Sequence, residues 1–340
     1  MKLSWTTETL ALRTTFRTAH GASATRRNVM VRLEHEGLVG RGEAAGLAYH
    51  GESAAGIDAY LAQAMSRLDG DPLCPEAMVA RLPQGSRAAL AALDLALHDL
   101  WGQLLGQPLY RLLGLDPAAA PLTSFTIGLD TPPAMAQRAA DSAMPLLKIK
   151  VGGDDDEVVL AAVRAAVPGA TLRVDANAGW SREQAAALLP RLAAHGLELV
   201  EQPLAAGDLE GLRWLRGLQL GVPIYADESV RTARDVVRLA GAVDGVVVKL
   251  MKTGGIREAL RVIAVARAHE MQVMISCMIE SSLGVTAAAH LAPLCDRVDL
   301  DGPLLIDDDP FDGVRYQGAR LLLPPGPGLG VRRRRGPAGA

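Results

Sequence analysis

Charged residues recur at a nearly constant spacing along the middle of the chain, and each directly follows a short apolar run. Lys150, Asp175, Glu201, Asp227 and Lys249 are separated by 25, 26, 26 and 22 residues. Stretches of helical length, rich in Ala and Leu, fill the intervals. A strand, a helix and two loops occupy about this much chain, so the spacing predicts consecutive βα units and a parallel sheet.

Eight apolar runs between residues 122 and 301 are the candidate strands. They are 122–128, 146–151, 171–176, 197–201, 222–227, 244–249, 271–276 and 297–301. Eight consecutive units favour an α/β fold of the modified (β/α)8 (TIM-type) barrel class. A doubly wound open sheet is the alternative, but its dinucleotide-binding form needs a G-x-G-x-x-G motif after an early strand, and the chain has none there.

The first third of the chain has a different pattern. Strand-like residues 28–37 precede helical residues 86–106, which indicates an α+β unit. We therefore expect three parts, which are an N-terminal α+β domain at 1–117, the barrel domain at 118–309 and a C-terminal segment at 310–340. The C-terminal segment is expected to pack back on the N-terminal domain and to end, from Arg332 onward, in a disordered basic tail.

Composition argues against several classes of partner. The 340 residues carry a formal net charge of -3, so the chain has no overall field that would attract nucleic acid or an acidic membrane. The N-terminus lacks the apolar core of a signal peptide, and no apolar run reaches the length of a membrane span. Cys74, Cys277 and Cys295 show neither disulfide nor zinc spacing, which is typical of a cytoplasmic protein.

Three strand-end residues, Asp175, Glu201 and Asp227, are carboxylates on neighbouring strands, and we call them the acidic trio. The active site of such a barrel lies at the carboxyl ends of its strands, so the trio should meet at one rim. A single acid after a strand is more often a cap or turn residue, but a repeated series of charges must pair or bind a ligand. Oxygen ligands without His or Cys favour Mg²⁺, one ion per subunit, over zinc.

Lysines flank the acidic trio. Lys148 and Lys150 share one face of their strand, because alternate side chains of a strand point the same way. Lys249 lies four strands away, on the opposite side of an eight-stranded barrel. This arrangement suits two acid/base groups, and repulsion from Lys148 would favour loss of the proton of Lys150. The alternative is that each lysine only neutralises a neighbouring carboxylate.

Seven short motifs, in this order along the chain, together resemble the enolase superfamily. They are KIK (148–150), VDAN (174–177), VEQP (200–203), ADES (226–229), VKLMKTGG (248–255), CMIESS (277–282) and DLDGP (299–303). Within the superfamily, the sequence is most similar to the dipeptide epimerases of the muconate-lactonizing subgroup. Residues 40–46 and 91–100 match the N-terminal capping domain of that subgroup, so the resemblance covers nearly the whole chain.

The resemblance implies a role for each matching residue. The acidic trio would hold the Mg²⁺ ion, Lys150 and Lys249 would be the two acid/base lysines, and Lys148 an auxiliary lysine. Asp299 and Asp301 would bind the free ammonium group of a dipeptide. The residues that would lie beside the metal ligands are Asn177 and Glu228. The residues that would also contribute to substrate binding are Thr126, His20 and Ser23.

The implied activity is Mg²⁺-dependent epimerisation of dipeptides, such as L-Ala-L-Glu, at the α-carbon of the C-terminal residue. One lysine would remove the α-proton and the other would return a proton from the opposite face. An o-succinylbenzoate synthase or N-succinylamino acid racemase shares the lysines and the trio, but its substrates lack the ammonium group that Asp299 and Asp301 would bind. A non-catalytic metal-binding barrel is a more distant alternative.

Substrate choice should depend on capping-domain loops at 16–25 and 44–52. Epimerases that act on L-Ala-L-Glu often place an arginine in the first loop to meet the side-chain carboxylate. This chain reads FRTAHGASAT there, with Arg26 and Arg27 directly after the loop. The preference for an acidic second residue therefore stays open, with Arg17, Arg26 and Arg27 as candidates. We also expect a homo-oligomer and a role in cell-wall peptide metabolism.

Overall fold

A three-stranded antiparallel sheet forms the base of the N-terminal domain in the computed structural model, which describes residues 1–18, 21–46, 49, 51–153 and 155–334. Strand β1 (Lys2–Thr18) pairs with β2 (Gly21–His35), and β2 pairs with β3 (Leu38–Ala44). The pairing of β1 with β2 shifts register between Ala11 and Phe16. Beyond this shift, Phe16, Thr18 and residues 21–23 of the two strands lie at the barrel mouth.

Helices pack on this sheet. The described part of the domain contains α1 (Ala54–Met65), α2 (Pro75–Val79), α3 (Arg87–Leu104) and α4 (Leu109–Leu112). Strand β3 lies so close to α3 that a Cβ added to Gly42 would come within 1.9 Å of Ala92 O. Glycine is therefore required at this crossing, and the helix predicted at 86–106 is confirmed.

An eight-stranded parallel sheet forms the second domain, with its strands side by side in chain order. They are β4 (Phe125–Ile127), β5 (Leu146–Lys150), β6 (Thr171–Asp175), β7 (Leu197–Glu201), β8 (Ile224–Ala226), β9 (Gly245–Lys249), β10 (Gln272–Ser276) and β11 (Arg297–Asp299). A parallel bridge between Thr123 and Val298 closes the barrel. The predicted α/β class and TIM-type barrel are confirmed, and each strand lies inside the run predicted for it.

Helices surround the barrel. They are α5 (Pro132–Ser142), α6 (Asp156–Ala166), α7 (Arg182–Ala193), α8 (Leu209–Gly217), α9 (Ala233–Leu239), α10 (Leu250–Thr253), α11 (Ile256–Ala268) and α12 (Ser282–Ala289). In the described chain, the helix that follows β11 is the four-residue α13 (Gly302–Leu305), so the last βα unit is shortened. Within the described ranges, no helix combines the length and the apolar character that crossing a membrane requires.

Strand register brings the charged strand ends to one rim of the barrel. Lys150 pairs with Asp175 across β5 and β6, and Asp175 pairs with Glu201 across β6 and β7. Asp227 lies one residue beyond the end of β8. Side chains that alternate with these, such as Val174, are fully buried between the sheet and its helices. The alternation therefore separates an apolar outer face from a charged inner rim.

The C-terminal segment runs back onto the N-terminal domain. Leu109 N donates to Gly328 O at 2.9 Å, and Leu329 N donates to Asp99 Oδ1 at 2.8 Å. These bonds tie the segment to α4 and α3.

The basic residues near the C-terminus are ordered where the structure describes them. Arg332 and Arg333 form a two-residue strand that pairs antiparallel with residues 311–312. Arg333 lies 2.6 Å from a carboxylate oxygen of Glu8. The prediction of a disordered tail from Arg332 is therefore wrong at its start, because strand pairing and an ion pair hold these residues. Residues 335–340 lie outside the described part of the chain.

Candidate active site

A cavity of about 320 Å³ lies where the N-terminal domain meets the carboxyl ends of the barrel strands. The barrel residues predicted for the site that line it are Thr126, Lys148, Lys150, Asn177, Asp227, Glu228, Lys249, Asp299 and Asp301. Ser23 lines it from the hairpin. Asp175 and Glu201 are fully buried beneath the lining residues. His20, which was also predicted to bind substrate, lies outside the described residues.

The acidic trio is assembled around lysine ammonium groups. Lys148 Nζ lies 3.3 Å from Asp175 Oδ2 and 3.0 Å from Glu201 Oε2. Lys249 Nζ lies 2.6 Å from Asp227 Oδ2 and 3.9 Å from Glu201 Oε1. The ends of β6, β7 and β8 therefore bring three carboxylates together, with two ammonium groups between them.

Lys150 and Lys249 approach the cavity from opposite sides. They end β5 and β9, which are four strands apart in the eight-stranded barrel. Lys150 Nζ donates to Asp175 Oδ2 at 2.6 Å, and Lys249 Nζ donates to Asp227 Oδ2 at the same distance. Each lysine is thus held by one carboxylate of the trio while it faces the cavity.

Carboxylates dominate the charge environment of two of these lysines. Burial opposes the ammonium form of Lys148, but Asp299 and then Glu201 outweigh it and raise the pKa of Lys148 well above its usual value. Burial likewise opposes the ammonium form of Lys249, and Asp227 outweighs it and raises the pKa of Lys249. The carboxylates therefore favour the ammonium form of Lys148, which is the form that would repel a second ammonium group at Lys150. The expectation that this repulsion frees the proton of Lys150 stays a prediction.

The negative charge of the trio is unevenly compensated. Burial, followed by the charge of Asp175, raises the pKa of Glu201 well above its usual value despite Lys148. Burial also opposes the charged form of Asp227, but Lys249 outweighs it, and the pKa of Asp227 falls well below its usual value. Glu201 is therefore the member that most needs additional positive charge.

The donor set fits a divalent cation. Among the described residues, carboxyl groups at this rim outnumber ammonium groups. The six acids are Asp175, Glu201, Asp227, Glu228, Asp299 and Asp301, and the four lysines are Lys148, Lys150, Lys249 and Lys252. In the described structure, the buried oxygens Glu228 Oε2 and Asn177 Oδ1 lack a hydrogen-bond partner, and Glu201 Oε2 lies 3.0 Å from Lys148 Nζ without forming a hydrogen bond to it. A hard cation that prefers oxygen ligands, such as Mg²⁺, would supply both the missing charge and the missing partners.

The site is not a ready-made metal cage. Within the described residues, no three Asp, Glu, His or Cys side chains converge closely enough to hold a metal ion. The ammonium groups of Lys148 and Lys249 occupy the space between the carboxylates. Because these ammonium groups already satisfy part of the negative charge, binding of a cation requires them to move aside.

Asn177 and Glu228 lie together beside the trio. Asn177 Nδ2 donates to Glu228 Oε1 at 3.2 Å, and Asn177 N donates to Asp175 Oδ1 at 2.9 Å. The backbone of Asn177 is left-handed, with φ 45. Burial, followed by the charge of Asp227, raises the pKa of Glu228 to about 7. Glu228 therefore adds a further carboxyl group beside the trio.

Asp299 and Asp301, although two residues apart, have different surroundings. Asp299 Oδ2 accepts hydrogen bonds from Lys148 Nζ at 2.7 Å and Ser276 Oγ at 2.8 Å, and its Oδ1 accepts one from Ser124 Oγ at 2.6 Å. Asp301 Oδ2 accepts one from Thr126 N at 2.6 Å. Asp299 is thus saturated with partners that include a cation, whereas Asp301 has no cation partner among the described residues.

The pKa values of the two acids follow this difference. Burial opposes the charged form of Asp299, but Lys148 outweighs it and lowers the pKa of Asp299 to about 2. Burial, followed by the charge of Asp299, raises the pKa of Asp301 to about 6. Asp301 is therefore the acid that a cationic group of a ligand would stabilise most.

Of the three arginines that the sequence left open, Arg26 lines the cavity. Its guanidinium donates to Thr25 O at 3.2 Å, and it has no ion-pair partner among the described residues. Arg17 lies 3.6 Å from Asp130 instead, and Arg27 is exposed on β2. The structure thus presents one arginine to the cavity without a competing carboxylate.

Two family models match the sequence. Residues 2–114 match the N-terminal domain of mandelate racemase/muconate lactonizing enzyme, and residues 133–335 match the enolase C-terminal domain-like family. The second match alone covers more than half of the chain. The chain belongs to the mandelate racemase/muconate lactonizing enzyme family. The resemblance to the enolase superfamily is thereby confirmed.

Members of this family with similar sequences include epimerases and a racemase. The chain is 37% identical over 337 residues to an L-Ala-D/L-Glu epimerase of Bacteroides thetaiotaomicron, covering 97% of this chain and 88% of that protein. A dipeptide epimerase from Enterococcus faecalis V583, solved with Mg and L-Leu-L-Tyr, has 36% identity, a TM-score of 0.92 and coverage of 97% and 98%. An N-succinyl Arg/Lys racemase from Bacillus cereus has 27% identity, a TM-score of 0.93 and coverage of 98% and 96%.

The structure of this family member also reveals site residues that sequence reasoning missed. Lys252 is buried on α10, where its Nζ donates to the backbone oxygen and Oδ1 of Asp227. Its position three residues after Lys249, in the first turn of a helix, could have suggested that both lysines reach one acid. Gln202, within the VEQP motif, hydrogen-bonds to Asp227 N, and no sequence signal pointed to that contact.

Proposed function

We propose that the protein is a Mg²⁺-dependent dipeptide epimerase that interconverts L,L and L,D dipeptides at the α-carbon of the C-terminal residue. The observation that carries this proposal is the approach of Lys150 and Lys249 to one cavity from opposite sides. Relatives of 37% and 36% identity that are named as epimerases support it, and one of them was solved with Mg and a dipeptide.

The acidic trio is proposed to hold one Mg²⁺ ion. When bound, Mg²⁺ supplies positive charge that stabilises the developing negative charge of the substrate carboxylate and lowers the pKa of nearby ammonium groups. A proton next to a carboxylate is very weakly acidic, so proton removal without such compensation would be slow. The excess of carboxyl groups at this rim supports this assignment.

Lys150 and Lys249 are proposed to be the acid/base pair. One lysine, as a neutral amine, takes the α-proton from its side, and the other, as an ammonium group, gives a proton to the opposite side. The configuration at the α-carbon is thereby inverted, and the roles exchange in the reverse direction. Lys148, which stays charged, is proposed to stabilise negative charge on the substrate.

Asp301 is proposed to bind the ammonium group of the dipeptide, with Asp299 in a supporting role. Asp299 already accepts a hydrogen bond from Lys148 Nζ at 2.7 Å, so its charge is used to hold that lysine. Asp301 has no cation partner in the described structure, and Thr126 N holds one of its oxygens at 2.6 Å. An ammonium group beside Asp301 would form a charge-assisted hydrogen bond.

Arg26 is proposed to favour substrates with an anionic side chain. Its guanidinium reaches the cavity without a carboxylate partner among the described residues, so a carboxylate on the substrate could pair with it. The relatives differ in this respect, since one is named for L-Ala-D/L-Glu and another was solved with L-Leu-L-Tyr. Arg26 therefore supports an acidic second residue.

The second candidate is an N-succinylamino acid racemase. A solved N-succinyl Arg/Lys racemase has a TM-score of 0.93 to this chain, and Arg26 could also meet a succinyl carboxylate. Two observations favour dipeptides. The identity to that racemase is 27%, compared with 37% to the Bacteroides epimerase, and Asp299 and Asp301 would repel an additional carboxylate near them.

The experiment is α-proton exchange in D₂O, followed by NMR and by chiral chromatography. The purified protein with Mg²⁺ is given three panels, which are dipeptides with acidic C-terminal residues, dipeptides with apolar ones, and N-succinylamino acids. We expect exchange and epimerisation of the first panel, and loss of both after a chelator removes the metal. Exchange of N-succinylamino acids alone would show that the protein is an N-succinylamino acid racemase. No exchange in any panel would refute both functions.

A cytoplasmic location, a homo-oligomeric assembly and a role in cell-wall peptide metabolism remain predictions of the sequence. The division into a capping domain at 1–117, a barrel at 118–309 and a C-terminal segment at 310–340 is likewise proposed. Bonds from Gly328 and Leu329 to the N-terminal domain support the third part of that division.

A further inference from the structure

Gln202 occupies an unusual position between the strands that carry the acidic trio. It directly follows Glu201 at the end of β7 and is fully buried. Its backbone is left-handed, with φ 37, and Pro203 follows it. A residue other than glycine keeps such a conformation only where its surroundings enforce it, and such residues cluster at functional sites.

The backbone of Gln202 joins all three strands of the trio. Gln202 N donates to Tyr225 O on β8 at 2.8 Å. Gln202 O accepts a hydrogen bond from Ala178 N, just beyond β6, also at 2.8 Å. The ends of β6, β7 and β8, which bear Asp175, Glu201 and Asp227, are thus linked through a single residue.

The side chain of Gln202 extends this link to the segment that begins with Asp227. Its Oε1 accepts hydrogen bonds from Asp227 N at 2.9 Å and from Ser229 N at 3.2 Å. Its Nε2 donates to Leu204 O at 2.7 Å and to Ser229 Oγ at 3.0 Å. The primary amide therefore uses both of its donor hydrogens and accepts two backbone hydrogen bonds, so its full hydrogen-bonding capacity is engaged.

We propose that Gln202 is a positioning residue that fixes Asp227 relative to Glu201 and thereby sets the affinity of the acidic trio for Mg²⁺. This inference rests on the metal site of the proposed function, but not on the identity of the substrate. Groups that hold metal-ligating residues in place usually change metal affinity 10- to 100-fold when they are replaced. A residue that only completed a surface turn would leave that affinity unchanged.

Two substitutions distinguish an effect of the hydrogen bonds that position Asp227 from an effect of charge near the acidic trio. Gln202→Met keeps the length of the side chain and removes all four bonds. Gln202→Glu keeps the two acceptor bonds, loses the two donors and adds a negative charge near the trio. If charge alone controlled Mg²⁺ binding, Gln202→Glu would bind the ion more tightly, whereas positioning predicts weaker binding in both variants.

The measurement is isothermal titration of the full-length protein with Mg²⁺ alone. We expect the Kd for Mg²⁺ to rise roughly 10- to 100-fold in Gln202→Met and by less in Gln202→Glu. The matched control is Gln103→Met, because Gln103 Nε2 donates to Val39 O within the N-terminal domain, away from the trio. Thermal melting without metal reports whether each variant is folded.

Ser229→Ala serves as a milder variant should Gln202→Met not fold. It removes the Oγ that Gln202 Nε2 contacts and leaves the bond to Leu204 O, so we expect a rise in Kd of roughly 2- to 10-fold. In kinetic assays, the Mg²⁺ concentration for half-maximal rate should rise in parallel, and saturating Mg²⁺ should restore part of kcat.

Unchanged Mg²⁺ affinity in folded Gln202→Met, tighter binding in Gln202→Glu, or no Mg²⁺ binding by the unmodified protein would each overturn the inference. Mg²⁺ binding that weakens as expected in a protein that exchanges no α-proton would instead refute the proposed function and leave the role of Gln202 intact.

Discussion

The inside of the barrel contains two layers of side chains that differ in how fully their charged groups are paired. The upper layer, at the carboxyl ends of the strands, holds the acidic trio and its lysines. The lower layer consists of Arg173, Leu199, Tyr225, Val247, Met274 and Arg297, together with Glu198, which pairs with both arginines. Both layers lie on strands of the same barrel, so their difference comes from side chains and not from the backbone.

Charge in the lower layer is satisfied. Arg173 is 2% exposed, its Nε donates to Glu198 Oε2 at 2.5 Å, and its Nη1 donates to Val298 O at 2.8 Å. Arg297 Nε donates to Glu198 Oε1 at 2.9 Å. None of these three charged side chains has a buried nitrogen or oxygen without a partner. This layer therefore stabilises the fold and has no capacity left to bind a ligand.

Charge in the upper layer is only partly satisfied. Glu228 Oε2 is buried without a hydrogen-bond partner in the described structure, and Glu201 Oε2 lies 3.0 Å from Lys148 Nζ without a hydrogen bond. The pKa values of both acids are raised by burial and by neighbouring carboxylates. The comparison teaches that buried charge by itself does not indicate an active site. Buried charged groups that the protein pairs incompletely do indicate one.

The largest expected effect is on catalysis from the upper layer. Lys249→Met should lower the rate of epimerisation by about 10²- to 10⁴-fold, because it removes one acid/base group. The fold should persist, since Lys252 still pairs with Asp227. The assay is NMR of both epimers in D₂O, in which Lys249→Met and Lys150→Met should each retain α-proton exchange for a different epimer.

The control for the lysine variants is Lys2→Met, on the exposed edge of the N-terminal sheet. Full activity of Lys249→Met would show that Lys249 is not an acid/base group and only neutralises Asp227.

The next effect is a loss of stability when a charged residue of the lower layer is replaced. Arg173→Met should lower the free energy of unfolding by about 2–3 kcal/mol, because it removes charge-assisted hydrogen bonds in a buried position. Mg²⁺ affinity should change little. Urea unfolding and Mg²⁺ titration measure the two quantities, with Arg111→Met on an exposed surface as the control. A large loss of Mg²⁺ affinity would contradict the separation of the layers.

A smaller effect should distinguish the two acids of the DLDGP motif. Asp301→Asn should raise KM for dipeptides roughly 10- to 100-fold with little change in kcat, because a charged partner of the substrate ammonium is lost. Asp299→Asn should mainly lower kcat, because it weakens the hold on Lys148. Steady-state kinetics of both variants gives the comparison. The same change in KM for both would show that the two acids share one role.

A separate effect, on the pH dependence of stability, concerns Glu280, which is buried. Burial, followed by the charge of Glu43, raises the pKa of Glu280 to about 8. The folded state therefore binds more protons than the unfolded state from about pH 4.3 up to that value, so the free energy of unfolding should fall as pH rises through this window. Glu280→Gln should flatten that decline.

Urea unfolding at about pH 5.5 and pH 8 tests the role of Glu280, with Glu270→Gln on the surface as the control. An equally steep decline in Glu280→Gln would assign the pH dependence to other groups.

Much of the fold was predictable because it depends on local pattern. Each strand of the barrel lies within its predicted run, since apolar runs bounded by charged residues report strand ends directly. The error at Arg332 has a tertiary cause. A run of arginines looks solvated in sequence, but here it pairs with residues 311–312 and with Glu8, which are distant along the chain.

Which residues gather at the barrel mouth was also predictable, but their electrostatics were not. Spacing and motif order predicted that the acidic trio, the three lysines and the two acids of DLDGP would lie together, and the structure brings them to one rim. Sequence reasoning treated Lys148 and Lys150 as an isolated pair that repel each other. In the folded protein, Lys148 is surrounded by carboxylates from three other strands, Asp175, Glu201 and Asp299, and its pKa rises.

The sequence by itself thus determined which residues end each strand and, through the period of the βα units, which of them meet at the barrel mouth. The tertiary structure decided which of those charges are compensated, that Asp299 and Asp301 differ, and that Gln202 and Lys252 hold Asp227. The reason is that charge compensation and hydrogen bonding depend on distances of a few ångströms between residues far apart in the chain. Periodicity along a strand cannot encode these distances.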